Sequence, residues 1–225
     1  MQYFIDTASL EDIKFWKERN LVEGVTTNPA LLAAEGVDPI ERIKEITNLV
    51  DGPISVEVTY EESGKMIKHA ERLSAIHPNI VIKVPASLVG LDAANVLKKR
   101  DIKMNVTLIF HPTQAIPFIK LGVDYVSLFI GRVENFGLSN YAAIKQIKRI
   151  IEVEKSTTKL ISASIRNPSY LFAAIDAESD VITVPPSCWE KVFNNPMFKM
   201  GEQEFLNSWK SLPEGLRKNY ENFKE

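Results

Sequence analysis

The chain has 225 residues, of which 45% are hydrophobic and 25% are charged, and its formal net charge is −2, as in a globular protein with one large core. We expect no nucleic-acid or membrane partner, because there is no basic excess, no signal peptide and no apolar run near the roughly 20 residues of a membrane span. The single cysteine, Cys188, excludes an internal disulfide and fits a cytoplasmic setting, and the three scattered histidines suggest no zinc site.

Strand-like and helix-like segments alternate along the whole chain. Period-2 patterns and β-branched runs predict eight strands, at about 2–6, 24–27, 54–58, 80–85, 103–109, 125–130, 159–164 and 181–185. Each is followed by a helical pattern, which predicts an α/β protein, a single (β/α)8 TIM barrel spanning residues 1–225, with 202–225 as a C-terminal helical tail. A doubly wound open sheet is the main alternative, but it would more often have five or six strands and a glycine-rich first turn.

Polar residues recur on one parity of the strands. In a barrel, alternate side chains face the interior and the outer helices, and the active site lies at the carboxyl ends of the strands. The apolar parity, predicted to face the helices, includes Leu108 on the fifth strand and Ile161 and Ala163 on the seventh. The other parity carries, toward the strand ends, Asp6, Thr26, Asn28, Glu57, Lys83, Asn105, Thr107, Ser127, Phe129, Ser164 and Arg166, with Arg132 just beyond the sixth strand. Satisfied buried polar groups would explain one or two of these, whereas a ring at one level predicts an active site.

Lys83 is embedded in the strand-like apolar run from Ile80 to Pro85. Burial disfavours its ammonium form, and a neutral amine is a nucleophile toward carbonyls, so Schiff-base chemistry is suggested, with Asp6 and Glu57 as candidates for the proton transfers. The same carboxylates favour the charged form, and the sequence leaves open which effect prevails. The plainer alternatives are a lysine that reaches water at a strand end, and a Glu57 that is only its ion-pair partner.

The remaining ring residues suggest a sugar-phosphate ligand. Arg132, Arg166 and Ser164 fit a phosphate, because guanidinium groups bind phosphate through paired hydrogen bonds and TIM barrels often hold phosphate near their last strands. Ordinary surface ion pairs are the alternative for the two arginines. Asn105 and Thr107 could bind sugar hydroxyls or orient a catalytic water.

Motifs along nearly the whole chain resemble those of transaldolases, in particular the short subfamily that also contains fructose-6-phosphate aldolase. The matching stretches are 4–8 (FIDTA), 24–29 (GVTTNP), 56–58 (VEV), 82–85 (IKVP), 105–110 (NVTLIF), 131–132 (GR) and 162–168 (SASIRNP), and 180–209 also looks like the family. The resemblance implies transfer of a dihydroxyacetone unit from fructose 6-phosphate or sedoheptulose 7-phosphate to erythrose 4-phosphate or glyceraldehyde 3-phosphate, in the pentose phosphate pathway. It also implies that neither a metal nor a cofactor takes part.

The same resemblance implies a role for each matching residue. Lys83 would form the Schiff base, Asp6 would be the acid and base on the sugar hydroxyl, and Asn28 would help hold the dihydroxyacetone unit. Glu57 and Thr107 would position the water used in forming and hydrolysing the iminium. The other predicted substrate-binding residues are Thr26, Asn105, Ser127, Phe129, Ser164 and, at the phosphate, Arg132 and Arg166.

Two positions separate transaldolases from aldolases within the subfamily. The aldolases have glutamine where this chain has Glu57 and tyrosine where it has Phe129, so transaldolase is favoured, with fructose-6-phosphate aldolase as the alternative. A barrel that only binds sugar phosphates is a third hypothesis. The resemblance also implies a homo-oligomer, a pentameric or decameric ring. His111 stands where a small residue such as serine is usual, and is interpreted as a loop histidine without a role.

Overall fold

A computed structural model of the chain describes residues 1–133 and 137–223. Eight parallel strands, hydrogen-bonded in chain order, close into a barrel, and this confirms the predicted (β/α)8 fold. The strands are β1 Gln2–Asp6, β2 Gly24–Thr26, β3 Ile54–Glu57, β4 Ile80–Pro85, β5 Met104–Ile109, β6 Tyr125–Phe129, β7 Lys159–Ala163 and β8 Val181–Val184. The last strand pairs with the first, so the described barrel is closed between Ile5 and Val184.

Helices follow the strands, as the sequence predicts. They are α1 Leu10–Lys17, α2 Pro29–Ala34, α3 Pro39–Leu49, α4 Ser63–Ser74, α5 Leu88–Lys99, a 3₁₀ helix Pro112–Ala115, α6 Ile116–Leu121, α7 Ile130–Val133, α8 Asn140–Val153, α9 Pro168–Asp176, α10 Pro186–Phe193, α11 Pro196–Ser211 and α12 Glu214–Glu221. Apolar residues at helical spacing, such as Ile144, Ile147 and Ile151 of α8, bury one face of a helix. Polar caps mark the starts, since the Ser9 and Ser139 hydroxyls accept backbone N–H groups of the first turns of α1 and α8.

The chain divides into two compact units, 1–189 and 190–225. The first unit contains the barrel. The second contains α11 and α12, in which the rings of Trp209 and Tyr220 meet edge to face at 5.1 Å between centroids. Large apolar side chains of this second unit remain exposed, among them Phe198, Phe205 and Tyr220. The last two residues of the predicted tail lie outside the described residues, and no described helix is both long and apolar enough to span a membrane.

The lower barrel interior is filled by apolar side chains from five strands. They are Phe4, Val81, Tyr125, Ile161 and Val181, and together they form one buried cluster. The prediction that Ile161 faces the outer helices is therefore wrong. The period-2 pattern that places Ser164 inward places Ile161 outward, but Ser164 lies beyond the end of β7 with φ of 61°, and this left-handed backbone breaks the alternation.

The sixth strand ends sooner than the sequence predicts. It stops at Phe129, and Ile130 begins the short helix α7. Arg132 therefore lies on a helical turn directly after β6, and residues 134–136, which follow this turn, lie outside the described residues.

Candidate active site

A cavity of about 430 Å³ opens at the carboxyl ends of the strands. All eight strands or the residues directly after them contribute to its lining, which is formed by Asp6, Thr26, Asn28, Pro29, Ala30, Glu57, Lys83, Thr107, Leu108, Ser127, Phe129, Ala163, Ser164 and Thr183. Of the predicted site residues, Asn105, Arg132 and Arg166 are the ones that are not part of this lining. The structure thus brings the predicted polar ring to one place, at the end of the barrel where TIM-barrel active sites lie.

Lys83 is held inside the mouth of the barrel. Its side chain is only 7% exposed, and its Nζ donates a hydrogen bond of 2.9 Å to the carbonyl oxygen of Thr27. Nζ also lies 3.3 Å from Oε2 of Glu57, because Glu57 and Lys83 are register partners on adjacent strands and point to the same side. The amine is therefore buried, oriented by a hydrogen bond and next to a carboxylate.

Asp6 lies at the end of β1 and shares a hydrogen-bonded chain with two threonines. Thr26 Oγ1 donates to Asp6 Oδ1 at 2.7 Å, and it is also 2.6 Å from Oγ1 of Thr183. Burial raises the pKa of the Asp6 carboxyl, and the negative charge of Glu57 adds to this, whereas the charge of Lys83 and the Thr26 hydrogen bond act in the opposite direction. A carboxyl with a raised pKa binds a proton more readily than a free carboxyl does, and this suits a group that takes up and returns a proton during a reaction.

Thr183 was not among the predicted site residues. It is an inward-facing threonine on β8, two residues after Val181 of the interior cluster. The period-2 rule applied to the eighth strand would have identified it, because the strand is otherwise apolar.

Thr107 and Ser127 carry neighbouring hydroxyl groups with different surroundings. Oγ1 of Thr107 is buried and has no hydrogen-bond partner in the described part of the chain. Ser127 instead donates to Oδ1 of Asn105 at 2.7 Å, and Nδ2 of Asn105 donates to Oγ of Ser55 at 3.1 Å. Asn105 is thus fully buried, with both ends of its amide occupied, while Thr107, which is also fully buried, keeps a hydroxyl without a partner in the described residues beside the cavity.

Asn28 joins β2 to α2. Its Oδ1 caps the helix by accepting the backbone N–H of Leu31 at 3.0 Å, and Pro29 occupies the first helical position. The side-chain NH₂ group of Asn28 is then the part left for a ligand in the cavity.

A β-bulge on β5 turns two consecutive side chains into the cavity. Val106 pairs with Val126 and Ile109 pairs with Leu128, so that Thr107 and Leu108 together oppose Ser127. Leu108 has φ of 61° and lines the cavity, so the prediction that it faces the helices is wrong. An extra residue in the left-handed conformation shifts the alternation by one, and the sequence carries no glycine to mark it.

The end of β7 shows the same arrangement. Ala163, also predicted to face the helices, lines the cavity together with the next residue, Ser164. Ser164 has φ of 61° and follows the last strand residue. The prediction for Ala163 is wrong for the same physical reason as that for Ile161, since the inward parity of β7 runs through both of them.

The two arginines lie on adjacent segments at this end of the barrel. Arg132 is exposed on α7, and Arg166 is exposed two residues beyond Ser164. A Cβ atom at Gly131 would lie 2.9 Å from Ser164 Oγ and 3.1 Å from Arg166 Nε, so only glycine permits α7 to begin this close to the end of β7.

His111 has a structural role that sequence reasoning missed. Its Nδ1 accepts the backbone N–H of Thr113 at 3.3 Å, and the Gln114 side chain accepts the backbone N–H of His111 at 3.0 Å. These two bonds form a capping box at the start of the 3₁₀ helix. Among the described residues no three His, Cys, Asp or Glu side chains are grouped as metal ligands.

Comparisons with known proteins agree with this geometry. The family model for transaldolase/fructose-6-phosphate aldolase matches residues 3–224. A probable transaldolase of Clostridium botulinum (strain Eklund 17B / Type B) is 42% identical over 94% of this chain and 99% of its own length. A probable transaldolase of Geobacter sp. (strain M21) is 44% identical over 95% of this chain and 100% of its own length.

Among solved structures, inosine 5′-monophosphate dehydrogenase from Legionella pneumophila superposes with a TM-score of 0.56 over 82% of this chain and 58% of its own. At 12% identity, this likeness shows the barrel fold alone. The family match over nearly the whole chain and the relatives above 40% identity establish more: the chain belongs to the transaldolase/fructose-6-phosphate aldolase family of enzymes.

Proposed function

We propose that this transaldolase-family enzyme transfers a dihydroxyacetone unit from a ketose phosphate to an aldose phosphate through a Schiff base on Lys83. The donor is fructose 6-phosphate or sedoheptulose 7-phosphate, and the acceptor is erythrose 4-phosphate or glyceraldehyde 3-phosphate, as in the pentose phosphate pathway. The observation that carries the proposal is the position of Lys83, a buried amine 3.3 Å from the Glu57 carboxylate in a cavity at the mouth of the barrel.

The first steps join the substrate to the enzyme. Glu57 takes a proton from the Lys83 ammonium, and the neutral amine attacks the ketone carbon of the donor. The resulting carbinolamine loses water to give an iminium. Thr107 supports this step, because its unpaired buried hydroxyl can hold the departing water and later the water that hydrolyses the product.

The transfer steps involve Asp6. Its carboxylate takes the proton from the hydroxyl on the second carbon from the iminium carbon. The bond between this second carbon and the carbon next to the iminium then breaks, the second carbon becomes the aldehyde carbon of the aldose, and the electron pair of the bond moves toward the iminium to leave an enamine. The aldose product departs and the acceptor aldehyde enters. The enamine carbon then attacks this aldehyde, whose oxygen takes the proton back from Asp6. Hydrolysis releases the new ketose and restores Lys83.

Phe129 favours transfer over simple cleavage. Fructose-6-phosphate aldolase activity requires that the enamine be protonated, so that free dihydroxyacetone can leave. The Phe129 ring lines the cavity and packs edge to face on Phe110, with centroids 5.4 Å apart. It offers no hydroxyl as a proton donor at this place, whereas a tyrosine would. We therefore place the aldolase reaction second.

The surroundings of the site support a phosphorylated substrate. Arg132 and Arg166 lie on adjacent segments beside Ser164, and Gly131 allows these segments to approach. Two guanidinium groups at one edge of a cavity suit a terminal phosphate, which they would bind while the carbonyl end reaches Lys83. The predicted roles of Thr26, Asn28, Asn105 and Ser127 in binding or supporting the sugar belong to this proposal as well.

The proposal extends to the assembly and its location. The exposed apolar side chains of α11 and α12 would be covered if copies of the chain associate, which supports the predicted pentameric or decameric ring. A cytoplasmic location is proposed from the single, buried cysteine and the substrates of central carbohydrate metabolism.

Borohydride trapping tests the chemistry and distinguishes the three hypotheses. Reduction in the presence of fructose 6-phosphate should add one dihydroxyacetone-derived group to the protein, and peptide mapping should locate it on Lys83. A folded protein that traps nothing would support a barrel that only binds sugar phosphates. Cleavage of fructose 6-phosphate at equal rates with and without erythrose 4-phosphate would contradict transfer and support the aldolase.

A further inference from the structure

The bulge on β5 gives the cavity an apolar side chain that regular strand geometry would turn outward. Thr107 and Leu108 both oppose Ser127, and Leu108 reaches the cavity through a backbone with φ of 61°. Leucine rarely adopts this left-handed conformation, and glycine or asparagine is the usual residue there. A leucine in such a position indicates that its side chain is used in the cavity.

Leu108 differs from its neighbours in the cavity. It is the only large aliphatic side chain among the described lining residues, and 38% of the residue is exposed. It directly follows Thr107, whose free hydroxyl is the proposed holder of the reactive water. The end of β5 therefore carries two neighbouring groups with different roles toward water. The hydroxyl of Thr107 can hold a single water, and the side chain of Leu108 excludes bulk water.

The proposed reaction has a branch point at which water access matters. After the first aldose departs, the enamine on Lys83 can attack an acceptor aldehyde, or its carbon can take a proton from water. Protonation gives an iminium, water adds to its carbon, the carbon–nitrogen bond breaks, and free dihydroxyacetone leaves with the amine of Lys83 restored. The ratio of the two products depends on how well the enamine is kept from water while the acceptor arrives.

We propose that Leu108 is a specificity-determining residue that shields the enamine from bulk water and so favours transfer to an acceptor over release of free dihydroxyacetone. The inference rests on the proposed Schiff-base reaction. It adds a residue outside the predicted site, and it acts by excluding water rather than by donating or accepting a proton.

The test compares Leu108→Gly, Leu108→Ala and Leu108→Met with the wild-type enzyme. Leu88→Ala is the matched control, because Leu88 is 82% exposed at the start of α5 and is not part of the cavity lining. Fructose 6-phosphate and a fixed concentration of erythrose 4-phosphate are supplied, and free dihydroxyacetone and transferred product are both measured. Glycine accepts φ of 61° without strain, so Leu108→Gly removes the side chain without opposing the fold.

We expect the ratio of released to transferred dihydroxyacetone to rise about tenfold in the glycine and alanine variants, and to stay within about twofold of wild type in Leu108→Met and Leu88→Ala. Because both products come from one intermediate, their ratio does not depend on how much of the enzyme is folded. An unchanged ratio in the glycine and alanine variants would overturn the proposal, whatever happens to turnover. If the wild-type enzyme traps no adduct, the proposed function fails too; if it traps and transfers normally, only the role of Leu108 fails.

Discussion

The cavity has a charged half and a neutral half. Strands β1 to β4 bring Asp6, Glu57 and Lys83, whereas the described lining residues from β5 to β8 are all uncharged. Glu57 and Lys83 are in ion-pair contact, and the charges of both act on the carboxyl of Asp6. The difference suggests a division of work in which one half moves protons and electrons while the other shapes the space around the substrate.

The two halves also differ in backbone geometry. In the charged half, Glu57 and Lys83 are direct register partners on regular strands. In the neutral half, Leu108 and Ser164 both have φ of 61° and each adds a second consecutive side chain to the cavity. Left-handed backbone costs about 1–2 kcal/mol per non-glycine residue, so the neutral half maintains its shape at an energetic cost that the charged half does not bear.

Removing the amine should have the largest effect. We expect Lys83→Met to abolish borohydride trapping and to lower turnover by about 10⁴-fold or more, because the covalent route is lost entirely. Lys103→Met is the control, since Lys103 is an exposed lysine just ahead of β5 whose amine bonds the carbonyl oxygen of Pro78. Steady-state transfer assays and mass spectrometry measure both. Turnover by Lys83→Met within tenfold of wild type would contradict the Schiff base.

Removing the carboxylate of Asp6 should lower activity without lowering the stability of the fold at neutral pH. We expect Asp6→Asn to lower turnover by about 10²–10⁴-fold, because the proton on the sugar hydroxyl loses its acceptor, while the amide oxygen still accepts the Thr26 hydrogen bond. Trapping of the intact substrate on Lys83 should persist, because the carbon–carbon bond breaks only after the Schiff base forms.

The same variant has an expected pH signature. Burial raises the pKa of Asp6 in the folded protein above its unfolded value, so the folded state binds this proton more tightly than the unfolded state. The contribution of this proton binding to the free energy of unfolding is fully present at pH below the pKa of Asp6 in the unfolded chain. It is lost as the pH rises through the pKa of Asp6 in the folded protein. The free energy of unfolding of Asp6→Asn should therefore exceed that of wild type at neutral pH, and the gap should narrow in acid. A gap that widens in acid, measured by urea unfolding, would show that the carboxylate stabilises the fold.

The contrast between the halves also marks what the sequence could predict. The strands are predictable because β-branched runs recur at the spacing of βα units, and the charged ring is predictable because the inward positions of regular strands are in phase. The outward prediction for Leu108 and Ala163 is wrong because left-handed residues other than glycine leave no signal in the period-2 pattern. Which hydroxyl is free also depends on tertiary contacts: Ser55 bonds Asn105, while Thr107 has no such partner in the described chain.

The phosphate site should show a smaller effect, confined to binding. We expect Arg132→Ala or Arg166→Ala to raise KM for fructose 6-phosphate by about 10- to 100-fold with turnover little changed, because a charge-assisted hydrogen bond contributes about 1.5–3 kcal/mol. Arg149→Ala is the control, since Arg149 is an exposed arginine paired with Glu152 on α8. Equal KM values for variants and control would place the phosphate elsewhere.

The smallest effects should come from removing two hydroxyls of the neutral half, and the two changes in the free energy of unfolding should have opposite signs. Thr107→Val replaces an unpaired buried hydroxyl by a methyl group of similar size, so the free energy of unfolding should stay level or rise by about 1 kcal/mol, while turnover falls about tenfold. Ser127→Ala leaves Oδ1 of the buried Asn105 without its donor, so stability should fall by about 1–3 kcal/mol. Urea unfolding measures the change in the free energy of unfolding of both variants, and transfer assays measure their turnover. If Thr107→Val is less stable than the wild-type protein, the hydroxyl of Thr107 has a partner in the fold and is not available to hold a water.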